Sequence, residues 1–301
     1  MSDQGTVVTV SRHQQAAVAH SPENYPRTRR IRFRFGEGDS LAKYFADDNI
    51  ALSHFVAGLS GVFPPGEDSF IRSVRRVTDR ITDPVLKKRV AGFIGQESTH
   101  GQEHRHLNEK LVEMGYPIAW HDSQPLKDRV IRFEERVPAR LHLAVTAALE
   151  HYTAMLAQRV LSSEEVQAIP GDPEIWHLLK WHALEELEHK SVAFDVYRAI
   201  GGSERMRIAV MAILIALTIP LVTIELAISL AYDPVARRHP LRVAREMREL
   251  YRGPLLKGTL RDAAKYLRPG FHPDDIDTTA LLQRWKQELF GSEGALLDHL
   301  R

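Results

Sequence analysis

Three residues near the middle of the chain, His182, Glu186 and His189, have the types and spacing of metal ligands. They stand at i, i+4 and i+7, so a helix over 181–197 would present two imidazoles and a carboxylate on one face. That mixture of nitrogen and oxygen donors suits a transition metal. A second stretch, 93–111, repeats part of the pattern: Glu97 and His100 form a Glu-x-x-His, the spacing also of Glu186 and His189. Two such motifs on separate helices, joined by one Glu from each of two more, make the dinuclear carboxylate site of a four-helix bundle.

Four helices must position such a set. The apolar spacing of 40–60 predicts a helix that Pro64-Pro65-Gly66 breaks, so that Glu67 opens the next helix, 67–81. Glu67 is then either a ligand or a carboxylate complementing a helix N-terminus. Asp83-Pro84 reads as N-cap and first position of a helix running to about Met114 and stopped by Gly115. On it His104 shares the face of Glu97 and His100 and is a candidate for orienting a ligand; Glu103 and His106 lie off that face. The stretch 126–161 is helical with an interruption at Pro138, and Glu150 sits in its apolar run. A buried carboxylate costs several kcal/mol unless compensated, so Glu150 is either a ligand or turned to solvent. The helix 174–200 carries the opening motif and ends at Gly201-Gly202. The order is Glu67; Glu97 and His100; Glu150; Glu186 and His189, a full four-helix ligand set. Glu185 competes with Glu186, which is preferred because only it repeats the Glu-x-x-His spacing. Tyr152 is either a hydrogen-bonding or redox-active neighbour or a packed core tyrosine.

The 301 residues, 44% hydrophobic and 26% charged, describe a globular protein of one large domain or two smaller ones. A net charge of +1 gives no global field for nucleic acid. The absence of cysteine excludes disulfides, thiolate metal sites and thiol nucleophiles, and fits a reducing, cytoplasmic compartment. No secretory signal opens the chain, and the polar residues 1–26 read as a disordered tail. In 27–35, Arg alternates with Ile31, Phe33 and Phe35. This predicts an extended segment that is either docked by its apolar side or a basic patch facing anionic lipid. The segment 208–232 carries no charge before Glu225 and has Pro220 inside. It has three readings: a buried helix pair broken near Pro220, a helix lying against a membrane at the inner face, or a span. Further helices are expected over 239–252, 253–269 and 277–291.

The elements 63–67, 96–100, 148–152 and 182–189, with the tail 266–273, resemble the bacterial family of predicted metal-dependent hydrolases over residues 25–290. The ligand order is also similar to di-iron oxygenases of the p-aminobenzoate N-oxygenase type, in which the last helix carries an extra His four residues before its Glu, as His182 stands before Glu186. These resemblances imply the ligands Glu67, Glu97, His100, Glu150, His182, Glu186 and His189. The expected protein is all-α: a ferritin-like four-helix bundle over 27–203, with a C-terminal helical extension over 204–301. It would hold two iron ions, with manganese as a substitute and zinc less favoured in the absence of thiols. The expected activity is O2-dependent oxidation of a small apolar organic substrate, with an electron donor as partner. The alternatives are a metal-dependent hydrolase and a non-catalytic metal-binding protein. No Ser/His/Asp set, His-Glu-x-x-His motif or phosphate loop is visible.

Overall fold

The computed structural model describes residues 25–37 and 41–301. The protein is all-α: among the described residues there is no strand, only isolated bridges between Ile31 and Leu300 and between Ala46 and Gly171. The expected tail falls almost wholly outside the described residues, but Pro26 is already buried.

Helix α1 spans Ile50–Arg75, capped by the Asn49 side chain on the Leu52 N–H at 2.8 Å. It runs straight through Pro64 and Pro65, so the expected break does not occur. Pro64 cannot donate to the Ser60 carbonyl. Asn108 on the neighbouring helix does so instead, at 2.9 Å. Glu67 therefore lies inside a helix and is buried, which removes its reading as a carboxylate at a helix N-terminus.

Helix α2, Pro84–Glu113, has Asp83 as N-cap and is followed by Gly115 at φ +88, as its flanking residues predict. Helices α3, Gln124–Arg136, and α4, Ala139–Ser162, part at Pro138. After the short α5, Glu164–Gln167, comes α6, Pro173–His189, capped by Asp172. The expected helix 174–200 is interrupted: α7 restarts at Val192–Ala199. The turn is held by tertiary bonds, from Lys190 to the Ile276 carbonyl (2.5 Å) and from Arg89 to Ser191 (2.7 Å). His189 is thus the last residue of α6.

Helix α8, Glu204–Tyr232, continues past Pro220 and is little buried; only 11% of its most apolar stretch is buried. A buried pair broken at Pro220 is not what forms. Helices α9, Pro234–Arg238, and α10, Pro240–Arg252, follow. The expected helix 253–269 yields only α11, Thr259–Ala264, and a 3-10 turn, because Gly258 at φ +81 interrupts it. Helix α12, Thr279–Phe290, buries Trp285 and Leu289 as expected.

Helix α1 packs chiefly along α2, and α4 along α6 and α7. One apolar cluster joins Phe33, Leu107, Trp181 and Leu289; another joins Phe93, Leu143, Tyr197 and Tyr266. Both draw on residues before and after 204. The N-terminal segment is docked rather than a free basic patch. Its Ile31, Phe33 and Phe35 are buried, each contributing about 1.5–3 kcal/mol. Its Arg32 N–H donates to the His299 carbonyl at 2.9 Å.

Candidate metal centre

Four helices bring seven side chains to one buried point. Glu67 comes from α1, Glu97 and His100 from α2, Glu150 from α4, and His182, Glu186 and His189 from α6. All seven are at most 4% exposed. They form three groups, two at the ends and one that overlaps both. Glu67, His100 and His182 lie at one end, Glu97, Glu150 and His189 at the other, and Glu97, His100 and Glu186 connect them. Glu186 faces both ways: Oε1 is 2.9 Å from His182 Nε2, while Oε2 is 3.6 Å from His189 Nε2. His189 Nε2 is also 3.0 Å from Glu97 and 3.4 Å from Glu150.

Most of the inward-facing atoms lack hydrogen-bond partners. Both oxygens of Glu67, Glu97 and Glu150, Oε2 of Glu186, Nδ1 of His100 and Nε2 of His189 are buried without a hydrogen bond. Leaving so many buried polar atoms unsatisfied is costly. Cations shared among them would satisfy all of them, so the residues fit a metal pair. Oxygen and imidazole donors without thiolate suit iron, manganese or zinc.

Each imidazole is turned by a partner on its far side. His100 Nε2–H donates to Glu185 at 3.1 Å, which leaves Nδ1 facing the centre. His189 Nδ1–H donates to Gln96 Oε1 at 2.9 Å, which leaves Nε2. For His182 the hydrogen-bond inventory decides. Ser60 gives its only proton to Asn108 (2.6 Å), so His104 Nδ1–H must donate to Ser60 (2.9 Å). A neutral His104 then accepts at Nε2 from His182 Nδ1–H at 2.7 Å. His182 Nε2 is left with a lone pair facing the centre. This is the outer support that metal-binding histidines require.

Glu185 is therefore not in the cluster. One oxygen meets His100 and the other Arg29, at 2.7 Å. Arg29 also clasps Glu188, which accepts from Gln96 at 2.7 Å. Arg29 thus supports His100 through Glu185 and His189 through Glu188 and Gln96. It reaches them because Gly92 and Gly95, one turn apart on α2, make room for the segment. A Cβ at Gly92 would overlap the Pro26 carbonyl, and one at Gly95 the Thr28 hydroxyl. Gly101 has a similar role, since a Cβ there would lie 3.1 Å from Glu67 Oε2. The sequence reading missed Arg29, Gln96 and these glycines. The available signal was the paired glycines inside a helix, where each costs about 1 kcal/mol relative to Ala.

Burial pushes the Glu67 and Glu150 carboxyls well up, with the Glu97 charge adding to it. Burial would raise Glu97 and Glu186 too, but the neighbouring imidazoles override it and hold both low. Burial would lower His100, yet Glu185 and Glu97 push it up to about 10. His189 is likewise driven up, against burial, by Glu186 and Glu97. Burial, with His182 next, holds His104 low, which keeps it the neutral acceptor assigned above.

A cavity of about 630 Å³ opens on Glu67 and Glu186. Phe63, Phe70, Leu149, Tyr152 and Leu156 line it, together with Ile219 and Val222 of α8. Tyr152 both lines the cavity and packs against the apolar cluster of Phe93 and Leu143. A second, half-buried cluster joins Glu174, His177 and His299. Its own hydrogen bonds, including one from the Arg34 N–H, outweigh burial and hold Glu174 at about 2.

A family model described as "Predicted metal-dependent hydrolase" matches residues 27–277. No curated protein matches the chain, and no solved structure does.

Two outcomes are expected. Metal uptake displaces protons from the raised groups Glu67, Glu150, His100 and His189, so titration calorimetry in buffers of different ionisation enthalpy will register proton release, and affinity will fall as pH falls. Arg29→Ala leaves the helical circular dichroism intact but lowers metal affinity on the order of 10–100-fold, as loss of ligand support does elsewhere; unchanged affinity would show that Arg29 is only a structural tie.

Proposed function

The chain belongs to the family described as predicted metal-dependent hydrolases, and from that premise we propose that it is a dinuclear metal-dependent hydrolase acting on a substrate with an apolar part. The observation that carries this reading is the set of partnerless carboxylate and imidazole atoms at the end of an apolar cavity. Glu67, His100 and His182 would hold one metal, and Glu97, Glu150 and His189 the other, with Glu97 and Glu186 shared. We read α1, α2, α4 and α6 as the four helices of a ferritin-like bundle, from the order in which they supply these residues.

A bound metal pair supplies Lewis acidity toward a carbonyl or phosphoryl oxygen and makes water acidic enough to ionise near neutral pH. The chain's own residues do the rest. Glu185, Gln96 and His104 hold the imidazoles with their lone pairs turned inward. Phe63, Phe70, Leu149 and Leu156 take the apolar part of the substrate and exclude bulk water. The Tyr152 hydroxyl, its pKa raised by burial, stays protonated at neutral pH and can donate to a substrate oxygen.

A second reading, O2-dependent oxidation by an iron pair, is favoured by the ligand chemistry. Four carboxylates and three imidazoles suit iron or manganese as well as zinc, and His182 keeps the spacing of p-aminobenzoate N-oxygenase-type proteins. This reading would also need an electron donor.

The test is to load the metal-free protein with zinc, manganese or iron and assay it against chromogenic acyl esters and phosphodiesters without O2. Hydrolysis that needs two metals per chain and is lost in Glu97→Gln, by a factor on the order of 10² or more as for other directly acting groups, supports the hydrolase. An O2-dependent absorption band and O2 uptake in the iron form, with no hydrolysis by any metal form, would replace it with the oxidative reading.

A further inference from the structure

Helix α8 leaves an apolar stripe uncovered. Ile213, Leu217, Leu221, Ile224, Ile228 and Tyr232 recur every three or four residues and are 46–68% exposed. The stripe is about 30 Å long at 1.5 Å per residue. Such a patch on a protein surface marks an interaction site.

Charge identifies the occupant. Between residues 205 and 265, nine Lys or Arg are exposed, against one exposed acid, Glu249. The whole chain carries a net charge of only +1. Arg205 lies near the start of α8, and Arg237 and Arg238 follow its end; Arg245 and Arg252 continue the series on α10. Cations beside an exposed apolar stripe suit the anionic headgroups above a hydrocarbon layer. Exposed aromatic residues accompany the stripe: Tyr232 at the helix end is 68% exposed. Trp120 is 52% exposed and shares a groove with Leu221 of α8.

Contacts along α8 favour a helix lying along the bilayer over one crossing it. Arg207, Val210, Met211, Leu226 and Leu230 are buried against the protein. Ser229 is bonded to His54 at 2.7 Å, and Glu225 lies 3.2 Å from His121. So packed, α8 suits the interface plane rather than a span. Its Thr218, Ile219 and Val222, between stripe and protein, line the cavity that ends at Glu67 and Glu186.

We propose that α8 seats the protein in the interfacial layer of a membrane rich in anionic lipid, and that the substrate is a lipid-derived molecule entering the cavity beside Ile219 and Val222. The seating stands on the stripe and the charges alone; the substrate class rests on the metal-centre reading above.

The test is co-sedimentation of the full chain with vesicles, either of phosphatidylcholine alone or of equal parts phosphatidylcholine and phosphatidylglycerol. Expected is at least about tenfold stronger binding to the anionic vesicles, weakened by salt. The triple variant Ile213→Asp, Leu217→Asp, Leu221→Asp should lose that binding while keeping its circular dichroism and metal content. Should that variant not fold, Arg237→Glu with Arg238→Glu gives the same reading through charge. Metal-free protein should bind the vesicles equally, which separates the seating from the chemistry. Absence of binding to either vesicle overturns the proposal. So does a wild-type dimer that ignores vesicles and that the Asp variants make monomeric, because the stripe would then be covered by a second copy.

Discussion

Four carboxylates and three imidazoles share one buried pocket, and the helices around it answer to that crowding. Taking ions out of water costs several kcal/mol each. In the metal-free chain, opposing shifts reduce the cost: Glu67 and Glu150 are pushed towards neutrality, and the cations of His100 and His189 face the anions of Glu97 and Glu186. That balance leaves many oxygens without hydrogen bonds. An arrangement so poorly satisfied by its own groups is one that metal binding completes.

Around the pocket, the support runs outward to parts of the chain remote in sequence. Arg29 clasps Glu185 and Glu188, 156 and 159 residues away. Its segment is held by the burial of Ile31, Phe33 and Phe35 and by the clearance at Gly92 and Gly95. The apolar residues of the strap thus serve the same end as its charge, by delivering a cation to the back of two imidazoles. On the other side, Asn108 ties the two halves of the design. It takes the Ser60 hydroxyl proton that sets the His104–His182 chain, and it supplies the donor that Pro64 withholds from the Ser60 carbonyl.

What could be read from the sequence follows from how local each signal is. The Glu-x-x-His spacing, the Asp83-Pro84 start, the Gly115 stop and the break at Pro138 all act within a few residues, and the helices form as those signals indicate. The continuity of α1 through Pro64-Pro65 could not be read, because the missing donor is replaced from α2. The break at Lys190 was hidden for the same reason: its turn is held by Arg89 and the Ile276 carbonyl. Glu185 and Glu186 are adjacent residues of one type; the Glu-x-x-His spacing prefers Glu186, and the bonds to His100 and Arg29, remote in sequence, turn Glu185 to the back of His100. The periodicity of α8 gave no preferred face, because apolar residues occur all round it, and its exposure depends on how much of the bundle it covers.

The central claim is that the cluster takes two metal ions, one toward Glu67 and His182 and one toward Glu150 and His189. Anomalous difference maps from crystals of the manganese- or iron-loaded chain test it most directly. The account predicts two peaks roughly 3.5–4 Å apart, the spacing of dinuclear sites, between these pairs. A single peak at Glu174, His177 and His299, or none inside the bundle, would contradict it.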